Sequence, residues 1–150
     1  MNSKITPIVI ILFISAMLFT GCKQKEVADY VYPITPESET WDDYETVSER
    51  IEALRIPQET LEQLSNDQLV KATLDFPYII DLFLSSSTDL KPSVEITLDK
   101  CDALKELVSR EDGMDTLKQW AESENYTSLH NDLDEEILDI LVEYLPKVIE

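Results

Sequence analysis

The stretch SNDQLVKATLDFPYIIDLFL, residues 65–84, decides the fold class. Ser65 and Gln68 stand at the spacing of a capping box, in which each side chain satisfies a backbone amide left free at a helix start. Leu69, Val70, Ala72, Thr73 and Leu74 then supply the apolar side of that helix. Asp75-Phe76-Pro77 interrupts it, because proline lacks an amide proton and disfavours helical geometry in the residue before it. Asp75 is placed to cap a second helix over residues 76–84, where seven of nine residues are apolar besides Pro77. So apolar a segment predicts a buried helix. Asp81 lies one turn beyond Pro77, which puts both on the one side left to face solvent.

Downstream the helical pattern continues. Residues 85–92, SSSTDLKP, read as a loop. Val94, Leu98, Cys101, Leu104, Leu107 and Val108 then form one apolar stripe reaching about Arg110. Gly113 follows, where a helix C-terminus commonly has a glycine. Met114, Leu117, Trp120 and Ala121 make a further amphipathic segment. Asp132 caps a last helix built on Leu133, Ile137, Ile140, Leu141, Tyr144 and Leu145.

Upstream, Thr40-Trp41-Asp42-Asp43 has the form of a capping box with aspartate in place of the preferred glutamate. Tyr44, Val47, Ile51 and Leu54 recur at helical spacing behind it. Pro57 ends that helix and opens a short one carrying Leu61 and Leu64. No run alternates with period two for long, so the expectation is an all-α domain of about six helices in antiparallel packing. Its core is expected to include Leu69, Phe76, Ile80, Leu104, Leu107, Trp120 and Ile140. The segments 67–81 and 135–150 echo one another (acid pair, apolar helix, aromatic, proline, apolar end), which suggests a HEAT-like repeat.

The first residues have a different character. A polar start with Lys4 leads into IVIILFISAMLF, residues 8–19, and then Thr20, Gly21 and Cys22. A charged start, a short apolar run and small residues make the layout of a secretory signal. The run falls short of the ~20 apolar residues a spanning helix needs. Phe19-Thr20-Gly21-Cys22 resembles the lipobox of bacterial lipoproteins, with Phe19 where that family usually has leucine. The resemblance implies a cut before Cys22 and acylation of that cysteine by fatty chains such as palmitate. Two or more chains anchor a protein stably, whereas one binds marginally. Residues 69–83, together with ALKELVSREDG at 103–113, are similar to an uncharacterised small helical domain of exported bacterial proteins. That similarity implies a fold and no chemistry. The expected organisation is a signal peptide over 1–21, lipidated Cys22 with a flexible tether over 22–40, and an acidic helical domain over 41–150. The tether, with Pro33 and Pro36, would reach about 60 Å fully extended. Tyr30, Val31, Tyr32 and Ile34 could instead lie along the domain as a strap.

Charge narrows the partners. The chain has 12 Lys and Arg against 31 Asp and Glu, a formal charge of −19. Removing residues 1–21 takes away only Lys4. Such a surface argues against nucleic acid, whose binding requires a basic face. It also argues against docking on anionic headgroups, so membrane attachment falls to the lipid at Cys22.

Candidate chemistry is sparse. With Cys22 acylated, Cys101 is the sole free thiol, flanked by Asp99, Lys100 and Asp102. It lies on the apolar stripe, where an unpaired cysteine packs as a small hydrophobe. His130 is the one imidazole, which excludes multi-histidine zinc sites. The acids beside it (Asp132, Asp134, Glu135 and Glu136) suit a helix start as well as a weak cation site. No residue set pairs a nucleophile with a base or supplies three transition-metal ligands at a recognisable spacing. No catalytic residue, cofactor or metal is therefore assigned. The expected role is protein binding or scaffolding at the cell envelope, through a partly apolar helix face with an acidic rim. The alternatives are a carboxylate-based envelope hydrolase and a ligand- or cation-binding lipoprotein.

Overall fold

The computed structural model describes residues 28–84, 89–123 and 132–149. Among them the regular structure is entirely helical. Eight α-helices follow a 3₁₀ turn at Trp41–Asp43: α1 Val47–Ala53, α2 Gln58–Leu61, α3 Asn66–Leu74, α4 Ile79–Leu84, α5 Lys91–Lys100, α6 Asp102–Ser109, α7 Gly113–Ala121 and α8 Asp132–Ile149. The all-α expectation holds, with more and shorter helices than the periodicity alone suggests.

The capping box at residues 65–68 forms as read. Ser65 Oγ accepts from Gln68 N at 3.2 Å, and Gln68 Oε1 accepts from Ser65 N at 2.9 Å. The box expected at Thr40 does not form. Residues 41–43 make only the 3₁₀ turn, and Thr40 contributes no side-chain cap. The helix begins instead after Thr46, whose Oγ1 accepts from Glu49 N while Glu49 Oε2 accepts from Thr46 N. Glutamate at the third helical position reaches back to the cap amide, and the shorter Asp43 side chain does not.

Further corrections concern where helices start and stop. Asp75 is the C-cap of α3. Residues 75–78 form a connecting turn, with Ile79 N bonded to Phe76 O, and α4 starts three residues later than expected. The stripe from Val94 to Val108 is two helices. Cys101 between them takes an extended conformation, with φ −95° and ψ 104°. The break is fixed from outside, because Asp102 accepts from Ile56 N at 3.0 Å and from Arg55 Nη1 at 2.6 Å. Gly113 is the first residue of α7, not a helix end. A Cβ there would lie 1.8 Å from Leu107 O, so only glycine lets the start of α7 approach the end of α6 so closely. The expected loop over 85–92 is also shorter, since Pro92 sits in the first turn of α5. Residues 85–88 lie outside the described residues.

The echo between 67–81 and 135–150 does not give two alike units. The first breaks at residues 75–78, whereas α8 runs through Pro146 to Ile149. Leu141 and Leu145, fully buried one turn apart just before the proline, hold that part of α8 in place.

The core lies where α3 packs on α6 and α7, and where α5 and α7 pack on α8. Leu69, Val70, Phe76, Val94, Leu104, Leu107, Leu117, Ile137, Leu138 and Leu141 are all buried. Of the expected core, Leu69, Phe76, Leu104 and Leu107 are there. Trp120 and Ile140 are half-buried, and Ile80 is 36 % exposed because α4 turns that side outward. Two buried threonines bond back along their own helices, Thr73 Oγ1 to Leu69 O and Thr97 Oγ1 to Ser93 O, both at 2.8 Å. Neither hydroxyl is stranded.

Arg110 ties the layers together. Its guanidinium donates to Leu64 O at 2.7 Å, Leu61 O at 2.8 Å, Asn66 Oδ1 at 3.2 Å and Glu106 Oε1 at 2.9 Å. Leu61 ends α2 and its carbonyl also accepts from Leu64 N, so the guanidinium is a second donor to that carbonyl and pins the turn after α2 to α6. The planar fork matches such a divergent acceptor set, which a lysine could not.

Residues 30–34 belong to the folded body rather than to a tether. Tyr32 and Ile34 are buried and join the core, while Val31 before them is 82 % exposed and Pro33 between them is exposed. That alternation is an extended segment with one face on the protein. No helix among the described residues is long and apolar enough to cross a membrane.

Candidate functional site

Cys101 sits at the junction of α5 and α6, the position at which a helix start commonly activates a thiol. Burial wins here. The residue is fully enclosed, and loss of water pushes its thiol up to about 11, although the Leu104 amide and the Thr73 and Tyr32 hydroxyls favour thiolate. At neutral pH only about one molecule in ten thousand carries the thiolate that nucleophilic attack requires. Tyr32 is raised in the same direction, by burial first and by Cys101 second. Its hydroxyl donates to Ala72 O at 2.9 Å. The cluster is structural: it fastens residue 32 to the carboxyl half of α3 and to the α5–α6 junction.

The open face lies elsewhere. The 3₁₀ turn and α1 border a depression of about 610 Å³ lined by Asp43, Tyr44, Glu45, Glu49, Glu52 and Ala53. Residues 37–62 carry nine Asp and Glu against Arg50 and Arg55 alone. Both arginines are committed. Arg50 lies over the Trp41 ring at 5.0 Å and donates to Trp41 O and Tyr44 O, which holds the 3₁₀ turn against α1. Arg55 bonds Asp102 at 2.6 Å and lies 3.8 Å from Glu52, the one carboxylate of the edge it partly neutralises. Glu49 is held by the cap it completes, and the Thr46 amide shifts its carboxyl below the usual range. Asp43 and Glu45 form no ion pair among the described residues, and both are exposed. Val47, at the start of α1, is 54 % exposed. The result is an acidic edge with some apolar surface and unneutralised carboxylates.

Acid–base chemistry needs a carboxyl with a raised pKa. Asp29, Glu49 and Asp99 all move the other way, through bonds to Lys71, the Thr46 amide and Lys100 respectively. No group of three or more His, Cys, Asp or Glu among the described residues is arranged to hold a metal ion. Cys22 and His130, the lipidation and imidazole candidates, lie outside the described residues. The acidic edge over 37–62 was not singled out from sequence, although its acid density against two arginines is the signal that marks it. No family model, no curated protein and no solved structure matches this chain.

Proposed function

We propose that this chain is a lipid-anchored extracytoplasmic helical module that binds an envelope or extracellular protein through the acidic edge around α1. The observation that carries the reading is the excess of exposed carboxylates over 37–62, nine against two arginines, of which Asp43 and Glu45 have no ion pair among the described residues. A surface of that kind steers a basic segment by long-range attraction and registers it by the apolar contacts of Tyr44, Val47 and Ala53. Phe19-Thr20-Gly21-Cys22 supports the anchor, because acylation there would hold the acidic domain at a membrane it does not otherwise attract.

Two experiments test the two halves. The full chain made in a bacterium should take up labelled fatty acid and partition into detergent, and Cys22→Ser should abolish both. Label retained in the serine variant would remove the anchor. For the binding half, the bait has to begin at residue 28, because a chain starting at 41 lacks Tyr32 and Ile34 of the core. Capture of an envelope protein should weaken with added salt and with Asp43→Asn/Glu45→Gln. Turnover of a hydrolase substrate, lost when one Asp or Glu becomes its amide without loss of fold, would overturn the binding reading.

A further inference from the structure

Residues 28–34 are attached differently from every other part of the fold. Among the described residues this segment makes no backbone–backbone hydrogen bond. Side chains alone hold it. Tyr32 packs edge-on to Tyr30, with ring centres 5.1 Å apart, lies 5.8 Å from Phe76 and bonds to Ala72 O. Ile34 fills the core beside it, and Asp29 pairs with Lys71 at 2.9 Å on the surface. The next turn is closed on itself: Ser38 N and Ser38 Oγ both donate to Thr35 O, and Thr35 N donates to Ser38 Oγ. The segment can therefore leave without breaking a helix, a cap or a ladder, and the turn behind it survives. Release exposes Tyr32 and Ile34 of the core but costs no backbone hydrogen bond, so the segment can open as a local unit apart from the helices.

We propose that residues 28–34 are a releasable latch that sets the reach of the anchored domain. The proposal rests on acylation of Cys22 as proposed above. With the latch docked, six residues lie between Cys22 and Asp29, and the chain from one to the other spans at most about 25 Å. With the latch released and the turn at 35–38 kept, twelve residues lie between Cys22 and Thr35, and the limit grows to about 45 Å. Docked, the acidic edge stays close to the lipid. Released, it can meet partners held farther from the membrane.

The test uses the acylated full chain in liposomes of neutral lipid. A dye on Ser48→Cys, an exposed position on α1, transfers energy to a labelled lipid headgroup. Transfer should fall in Tyr32→Ala and stay at the parent level in Tyr32→Phe, which keeps the ring. Equal transfer in parent and Tyr32→Ala, with both folded, would overturn the reach. Cys101 reports the latch independently, because Tyr32 lies beside its thiol. In the parent chain its modification at low urea should follow a route nearly independent of urea and roughly tenfold or more faster in Tyr32→Ala, as local opening exposes little surface. A single route with the full urea dependence of global unfolding would show that the strap leaves only when the domain unfolds, and would refute the latch. Failure of fatty-acid labelling removes the anchor and with it the reach, while the urea profile still decides whether the latch opens.

Discussion

Replacing Gly113 by alanine should destabilise the domain, against the usual rule. Gly113 is a helical residue with an ordinary negative φ, and there Gly→Ala normally gains about 1 kcal/mol of helix propensity. The local geometry reverses the sign. The added Cβ would sit 1.8 Å from Leu107 O and 2.7 Å from Leu107 C, inside the 3.0 Å that real Cβ atoms respect. The obstructing atoms are main chain, so no rotamer change relieves them. The start of α7 must move by about 1 Å away from the end of α6, because close-packed interiors offer no slack. That movement drags Leu117, fully buried against α3 and α8, out of register. Overpacking of this kind costs about 1–3 kcal/mol for side chains and more where backbone must shift. After subtracting the propensity gain, a net loss of about 1–2 kcal/mol is expected, since the obstructing atoms are backbone and the cost lies at the upper end. With a urea slope of roughly 2 kcal/mol per molar, the midpoint should fall by about 0.5–1 M. Far-UV circular dichroism during a urea titration reads it. A midpoint equal to or above the parent's would refute the close approach of α6 and α7.

Arg110→Lys should cost about 1–3 kcal/mol in the same titration, since a single ammonium nitrogen with three donors cannot reach all four acceptors that the three guanidinium nitrogens serve. A variant as stable as the parent would show that the fork is dispensable. Tyr78→Phe should stabilise by about 1 kcal/mol, because the buried Tyr78 hydroxyl has no hydrogen-bond partner among the described residues. A loss would reveal a partner for it. Stability should decline in alkali. Cys101 titrates near 9.0 when unfolded and about 11 when folded, so its contribution is intact below pH 9 and lost as pH rises from 9 through 11. Tyr32 acts in the same direction from its unfolded value of 10.0 upward. Urea midpoints between neutral pH and pH 10.5 should fall in the parent and flatten in Cys101→Ala/Tyr32→Phe, whereas a flat parent profile would contradict the burial of both groups.

What could be read from sequence was what is written locally. The Ser65–Gln68 box and the break at Pro77 each depend on residues within one turn, and both stand in the fold. The Thr46–Glu49 box was equally local, yet the aromatic at 41 and the threonine before it drew the helix start six residues too early. Cys101 is a different case. Its stripe is continuous in sequence, and what parts α5 from α6 is a pair of bonds from Asp102 to residues 55 and 56. No window around Cys101 contains that information. Gly113 stands out in sequence as a special position without showing why, because a glycine needed for close approach looks the same there as one ending a helix. Burial of Cys101 was legible from its apolar neighbours. The acidic edge was less so, because the whole chain is acidic, and only the fixed partners of Arg50 and Arg55 show where the charge is left unbalanced.

The latch also has a birth order. Tyr32 bonds to a carbonyl forty residues further along the chain and lies beside a cysteine later still. A chain delivered N-terminus first, from a ribosome or through a pore, presents residues 30–34 before the surface that receives them has been made. At about 5–20 residues per second, the roughly seventy residues from Tyr32 to Cys101 take some 4–14 seconds to arrive. For that interval Tyr30, Tyr32 and Ile34 stay accessible. Were Cys22 acylated as proposed, the distance in sequence from Tyr32 to its seat would set how long the modifying enzyme meets the chain before the strap closes.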